Sequence, residues 1–378
     1  MANDGKPKIA GLVRLWGILF ALLVGLPLAG AVLDRKRPSL YLEFPPLTRH
    51  VHPPAFSWAM FVLFAAIDLA MLAGMALLLV RAHKRTRGST RGRRRPLPAW
   101  GWAGLLFMAG GWLLAWSRFP WFAALQPHTF CLPWLGYIVL VNALCLKRSR
   151  TCPLTRSPGR FALLFAASAL FWWFFEYLNR YVQNWYYVGA DDFGPLSYTI
   201  FASLAFATVL PAVVSTYALL LTVPVLGAGL ESQVRVGIGR PRLLAVGVLL
   251  AAGAGLLLLG VRPDLVFGLV WLAPLLIILS VQTLAGEPTI LSPLRAGDWR
   301  PVITAAVAAL ICGFFWEMWN IGSLARWAYA IPYVDRYPVF AMPILGYGGY
   351  LPFGLECLAI GQLVLGGPEQ LEPEPLTN

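Results

Sequence analysis

The chain has 378 residues, 58% of them hydrophobic and only 12% charged, and carries a formal charge of +13. This composition excludes an ordinary soluble domain and a disordered chain. The basic residues collect in alternate loops instead of forming one stripe, which fits membrane topology and excludes nucleic acid as the expected partner.

Uncharged runs such as 243–260, "LLAVGVLLAAGAGLLLLG", are long enough to cross a hydrocarbon core of ~30 Å. Ten spans are expected, near residues 10–32, 55–80, 97–116, 129–146, 161–187, 200–226, 243–260, 265–283, 301–323 and 346–366. The fold class is therefore an all-α polytopic integral membrane protein. The first span ends in "LPLAGAVLD", small residues that a signal peptidase accepts, but its apolar stretch is long for a signal peptide and retention as an anchor is expected. The loop "RAHKRTRGSTRGRRR" at 81–95, taken as cytoplasmic, puts most of the 30 Lys and Arg residues and both termini on that side, as in a bacterial inner-membrane protein. Residues 1–96 form an N-terminal helix pair with this Arg-rich loop. The acidic end 368–378 is expected to be a disordered tail.

Between these lies an internal repeat, 97–226 and 227–367. "FCLPWL" at 130–135 matches "FGLVWL" at 267–272, and the basic turns "CPLTRSPGRF" and "SPLRAGDWRP" follow in each half. Glu176, Asn179, Trp185 and Tyr187 then match Glu317, Asn320, Trp327 and Tyr329 in the pattern E-x-x-N-x(5 or 6)-W-x-Y, and Pro211 matches Pro352. Two four-helix units entering from the same side imply parallel repeats with a site between them.

Carboxylates inside a membrane cost about 2.5–3.5 kcal/mol each at a helix centre, so Asp68, Glu176, Glu317 and Glu356 each require a reason. The i, i+3 spacing puts each duplicated glutamate beside its asparagine on one helix face, where an amide can orient the carboxyl. Arg180, four residues after Glu176, is placed for an intrahelical ion pair, whereas Glu317 has no such neighbour. Asp68 lies among small residues suited to close helix packing. Glu356 occurs in the second unit only, Ser215 standing at the matching place in the first. Pro343, Gly346, Gly348, Gly349 and Pro352 break regular helix at membrane depth, a pocket signal.

The candidate catalytic set is Glu317, Asn320, Glu356, Glu176 and Asn179. The candidate substrate contacts are Trp185, Tyr187, Trp319, Trp327, Tyr329, Tyr347 and Tyr350, although interfacial aromatic belts account equally for several of them. The five cysteines and four histidines lack metal-ligand spacing, no lysine lies inside a span, and "GADDF" at 189–193 has no second acidic motif. Neither a metal nor a cofactor is expected. Nucleotide-binding, zinc-protease and serine-hydrolase motifs are absent.

Three readings stay open. An intramembrane enzyme would use Glu317 as acid or base on a lipid or isoprenoid, with aromatic faces beside a developing carbocation. A proton- or cation-coupled transporter or flippase would rock its two units about the same groups. A scaffold would use them only to join helices. In every case the partners are membrane lipids, with a lipophilic small molecule in the first reading. The duplicated spans, aromatic residues and intramembrane glutamates resemble bacterial membrane-bound carotenoid cyclases and hydratases over parts of spans five, six, nine and ten. Their three-helix repeat and paired acidic motif after proline are not reproduced, Pro352 with Glu356 being a distant echo, so no residue role comes with the resemblance.

Overall fold

The computed structural model describes residues 9–46, 50–88, 95–190 and 192–374. Most of the arginine loop's tip, Asp191 of "GADDF" and the last four residues lie outside that set. Among the described residues, nine helices are long and apolar enough to cross a bilayer, and a bent pair makes a tenth. The protein is an all-α polytopic membrane protein, as its apolar runs require.

In chain order the spanning helices are α1 (Ile9–Leu33), α2 (Trp58–Thr86), α3 (Ala99–Trp116), α4 (Cys131–Arg148) and α5 (Pro158–Val182), followed by α6 (Pro195–Phe206) and α7 (Val209–Leu221), which make up one span. Then come α8 (Pro241–Val261), α9 (Ala273–Ala285), α10 (Arg300–Gly322) and α11 (Tyr350–Leu365). Three expected spans differ in form. The fifth stops at Val182 and gives way to a strand. The sixth is interrupted at Ala207 and Thr208. The eighth consists of Pro263–Trp271 and α9, bent by 58°, because Pro274 sits in the first turn of α9 and cannot continue a helix entering from before it.

Helix packing in lipid relies on shape rather than on water exclusion. The α1–α8 contact shows how close it becomes: a Cβ on Gly30 would lie 1.9 Å from the Leu257 carbonyl oxygen, and one on Gly260 2.3 Å from the Ala31 nitrogen. The buried core lies among α4, α5, α7, α9, α10 and α11, with Trp134, Phe175, Leu210, Ile277, Trp319 and Phe353 fully buried. α2 is peripheral and exposes Val62, Leu63, Leu69 and Leu77 to its surroundings.

α5 and α10 each run into a short strand, β1 (Trp185–Val188) and β2 (Arg326–Tyr329), and the two strands pair antiparallel. Trp185 stands opposite Tyr329, Tyr186 opposite Ala328 and Tyr187 opposite Trp327. Matching positions of the two sequence motifs are thus exchanged across the ladder, with Tyr186 and Ala328 at its centre. A second, two-residue ladder joins β3 (Pro338–Val339) to β4 (Met342–Pro343).

At the end of the bundle opposite this sheet, residues 368–374 of the acidic end lie against the body of the protein. Glu374 pairs with Arg156 at 2.9 Å and Glu372 with Arg300 at 3.6 Å, while Ser157 Oγ bonds Gln370 Oε1 at 2.9 Å. Leu371 is 1% exposed, and burying its side chain supplies more than exposed ion pairs of about 0.2–1 kcal/mol each can.

Candidate functional site

The E-x-x-N-x(5 or 6)-W-x-Y motif explains itself once helix and strand are seen together. An asparagine three residues after the glutamate sits almost one turn further along the same helix face. Asn320 Nδ2 donates to the Trp327 carbonyl at 2.9 Å, and its Oδ1 accepts from the Trp327 nitrogen at 2.9 Å. Asn179 does the same for Trp185, at 2.7 and 3.3 Å. Each amide therefore grips the backbone of the tryptophan in the returning strand instead of orienting the carboxyl. Because strand side chains alternate between faces, a tryptophan held there aims the tyrosine two residues later at the same helix. Tyr329 donates to Glu317 Oε1 at 2.6 Å, and Tyr187 to Glu176 Oε1 at 2.6 Å.

The two carboxyls then diverge. Glu176 Oε1 also accepts from the indoles of Trp185 at 3.0 Å and Trp172 at 3.1 Å. Arg180 does not neutralise it: its guanidinium is turned to the Glu43 carbonyl at 2.7 Å and the Glu43 carboxylate at 3.3 Å. Four residues before Glu317, where Trp172 stands before Glu176, the residue is Gly313. A Cβ there would lie 2.4 Å from the Tyr350 ring, so the glycine admits that ring, and Tyr350 donates to Glu317 Oε1 at 3.1 Å. The Trp327 indole donates to the Tyr329 hydroxyl at 2.8 Å. Both glutamates are fully buried, and in both Oε2 has no hydrogen-bond partner.

Glu317 alone of the two borders a cavity of about 170 Å³ beneath the β1–β2 ladder. Its wall includes Trp185, Tyr187, Trp327, Tyr329 and Tyr350 from the expected contact set. It also takes in Trp172, Trp271 and Trp316, with His128, Asn184 and one face of α6. The volume is close to that of the ~150 Å³ apolar cavity that accepts benzene, so it suits one end of a long molecule better than the whole. Three buried polar atoms without partners belong to side chains in this wall: Glu317 Oε2, Asn184 Oδ1 and His128 Nδ1. His128 lies in the 3-10 segment Pro120–His128, stacked on Phe201 with ring centroids 3.5 Å apart, and burial lowers its pKa, keeping the imidazole neutral.

Other expected residues fall elsewhere. Glu356 is 1% exposed in the second turn of α11, about 9 Å along the helix from Tyr350, and neither of its oxygens has a partner. It is not in the cavity wall, and neither are Glu176, Asn179 and Asn320. Trp319 packs against Trp134 and Phe315 in the core. Tyr347 bonds the Val339 carbonyl at 3.1 Å. Asp68 is half-buried against the backbone of Gly348, where a Cβ would clash with its carboxyl. The sequence reading missed Trp172, although its spacing of four before Glu176 signals a shared helix face. It also missed His128, Asn184 and Trp271, which carry no local signal and reach the cavity only through tertiary packing.

Comparison of the chain with protein-family models, with curated proteins and with solved structures gives no match. The class that the fold defines is a polytopic helical membrane protein, and a functional reading has to come from the site itself.

Proposed function

We propose that the protein binds a lipophilic molecule of the membrane, such as an isoprenoid or another lipid, in the cavity between its two related four-helix units and acts on it by acid–base chemistry through Glu317. The observation that carries this reading is the asymmetry between matching carboxyls. Oε2 is unengaged in both, but Glu176 is packed behind Trp172 with three donors on its other oxygen and lies outside the cavity wall, whereas Glu317 stands in that wall. A carboxyl held by Tyr329 and Tyr350 on one oxygen presents the other for proton transfer to or from a bound group. The surrounding indole and phenol faces favour a positive charge developing beside it.

The exchange of matching motif positions across β1 and β2 supports an internal duplication with its axis through this ladder. It also favours a fixed site over rocking units, because the ladder ties the units at one end while the Arg156 and Arg300 contacts with the tail tie them at the other. Location in a bacterial inner membrane with cytoplasmic termini belongs to the same proposal, supported by the bias of basic loops. The test is to express Glu317→Gln in cells lacking the wild-type chain and compare extracted lipids. Loss of a lipid species that the wild type produces, with normal folding in detergent, is expected. An unchanged lipid profile from a folded variant sinks the catalytic reading.

A further inference from the structure

The polar atoms of the cavity wall are unevenly committed. The phenol and indole donors that face Glu176 and Glu317 are already used: Tyr187, Trp185 and Trp172 on one carboxyl, Tyr329 and Tyr350 on the other, and Trp327 on the Tyr329 hydroxyl. The fully buried atoms left without a partner are of another kind, while the Tyr198 hydroxyl and the Trp271 and Trp316 indoles, also in the wall, remain as neutral donors. Asn184 is 4% exposed, and its Nδ2 donates to the Phe267 carbonyl at 3.3 Å, which fixes the amide and leaves Oδ1 as an acceptor without a donor. Glu317 Oε2 accepts when ionised and donates when protonated, and the buried His128 nitrogen has no partner within the protein. Unpaired buried polar groups are costly to a fold, so a ligand that satisfies them gains affinity from them.

An anionic head group leaves Asn184 Oδ1 unpaired, since it brings only acceptors, and apart from a protonated Glu317 the wall meets it with the neutral donors of Tyr198, Trp271 and Trp316. The one cationic side chain in the wall, Arg326, is exposed and sits at a strand position whose neighbour Trp327 faces inward, so alternation turns the guanidinium outward; its hydrogen bond is to the Ser323 carbonyl at 3.5 Å. A hydroxyl fits, because it donates to the amide oxygen and still accepts from a protonated carboxyl. The route in favours the same class. α6 is a partition one helix thick: Leu196, Ile200 and Leu204 form an exposed apolar stripe on one side, and Tyr198, Phe201, Ala202 and Ala205 face the cavity on the other. The chain break at Ala207 and Thr208 lies at its end.

Resting on the cavity reading above, we infer that the ligand is an uncharged, hydroxyl-bearing lipid taken from the bilayer, with its hydroxyl bonded to Asn184 Oδ1. The purified full chain in a neutral detergent reports cavity occupancy through the fluorescence of Trp172, Trp185, Trp271, Trp316 and Trp327. Three probes of equal chain length are titrated at equal detergent mole fraction: farnesol, the hydrocarbon farnesene and farnesyl phosphate. Farnesol should bind about three- to tenfold more tightly than either of the others, the worth of one neutral hydrogen bond. Asn184→Leu should remove its advantage over farnesene without weakening farnesene. Asn184→Ala serves as a second variant and should narrow the same gap if Asn184→Leu does not fold. Equal binding of farnesol and farnesene, or tighter binding of the phosphate, overturns the inference and leaves the cavity in place. Failure of all three to bind overturns the cavity reading itself.

Discussion

Gly313→Ala isolates the contact that distinguishes the two carboxyl sites. On an exposed helix face this change stabilises by roughly 1 kcal/mol, the propensity difference between the two residues. Here the new Cβ would stand 2.4, 2.5 and 2.7 Å from three carbons of the Tyr350 ring. Overpacking of this kind costs about 1–3 kcal/mol, and displacing the ring also weakens the 3.1 Å bond from Tyr350 to Glu317. The net expectation is a destabilisation of up to about 2 kcal/mol, opposed by the propensity gain. In a Tyr350→Ala background the obstruction is gone, and the same change should stabilise by about 1 kcal/mol. Reversible unfolding in mixed detergent micelles across the four proteins gives the coupling energy directly, predicted at about 1–3 kcal/mol. If Gly313→Ala has the same sign and size in both backgrounds, the ring does not occupy the space assigned to it, and the explanation of why Glu317 differs from Glu176 fails.

Asn320→Leu should destabilise the fold by about 2–4 kcal/mol, since it leaves the Trp327 amide and carbonyl groups without partners; a neutral result in the same unfolding assay would show that the amide is dispensable to the strand. Glu356→Met removes two unpartnered buried oxygens at similar volume and should raise stability by about 1–3 kcal/mol, whereas a loss would reveal a partner within the core. Burial depresses the pKa of His128 in the folded chain, so below the ordinary histidine range the unfolded chain binds a proton that the folded one refuses. Its contribution is fully present above about pH 6.5 and is lost as pH falls through that range. Unfolding measured between pH 7.5 and 5 should show a slope that His128→Phe reduces, and an unchanged slope would contradict the burial.

The spans were legible because an uncharged run of about twenty residues has few other fates. Their interruptions were less so. The end of α5 at Val182 is set by the left-handed Gln183 and by Asn179 capturing the Trp185 peptide, a contact that hydrophobicity does not encode. The motif itself was visible as a repeated string, but its meaning was not, because pairing of β1 with β2 decides that Tyr187 and Tyr329 turn back onto Glu176 and Glu317. An ion pair between Glu176 and Arg180 followed from helix spacing alone, yet Glu43, 137 residues away, takes the arginine. Glu356 reads in the sequence as a second carboxyl beside Glu317 if the last helix begins near Tyr350; α11 does begin there, yet Glu356, six residues on, lies outside the cavity wall. The second wall of the cavity, from His128, Asn184 and Trp271, depends on packing between segments more than 50 residues apart.

Of the two matching carboxyls, Glu317 is the one that a membrane-dissolved reagent should reach. Treatment of the folded protein with dicyclohexylcarbodiimide, followed by peptide mass mapping, tests this most directly, because that reagent partitions into apolar sites and modifies carboxyl groups there. The account predicts modification at Glu317 and none at Glu176 or Glu356. Modification of Glu176 or Glu356 while Glu317 stays intact would contradict it.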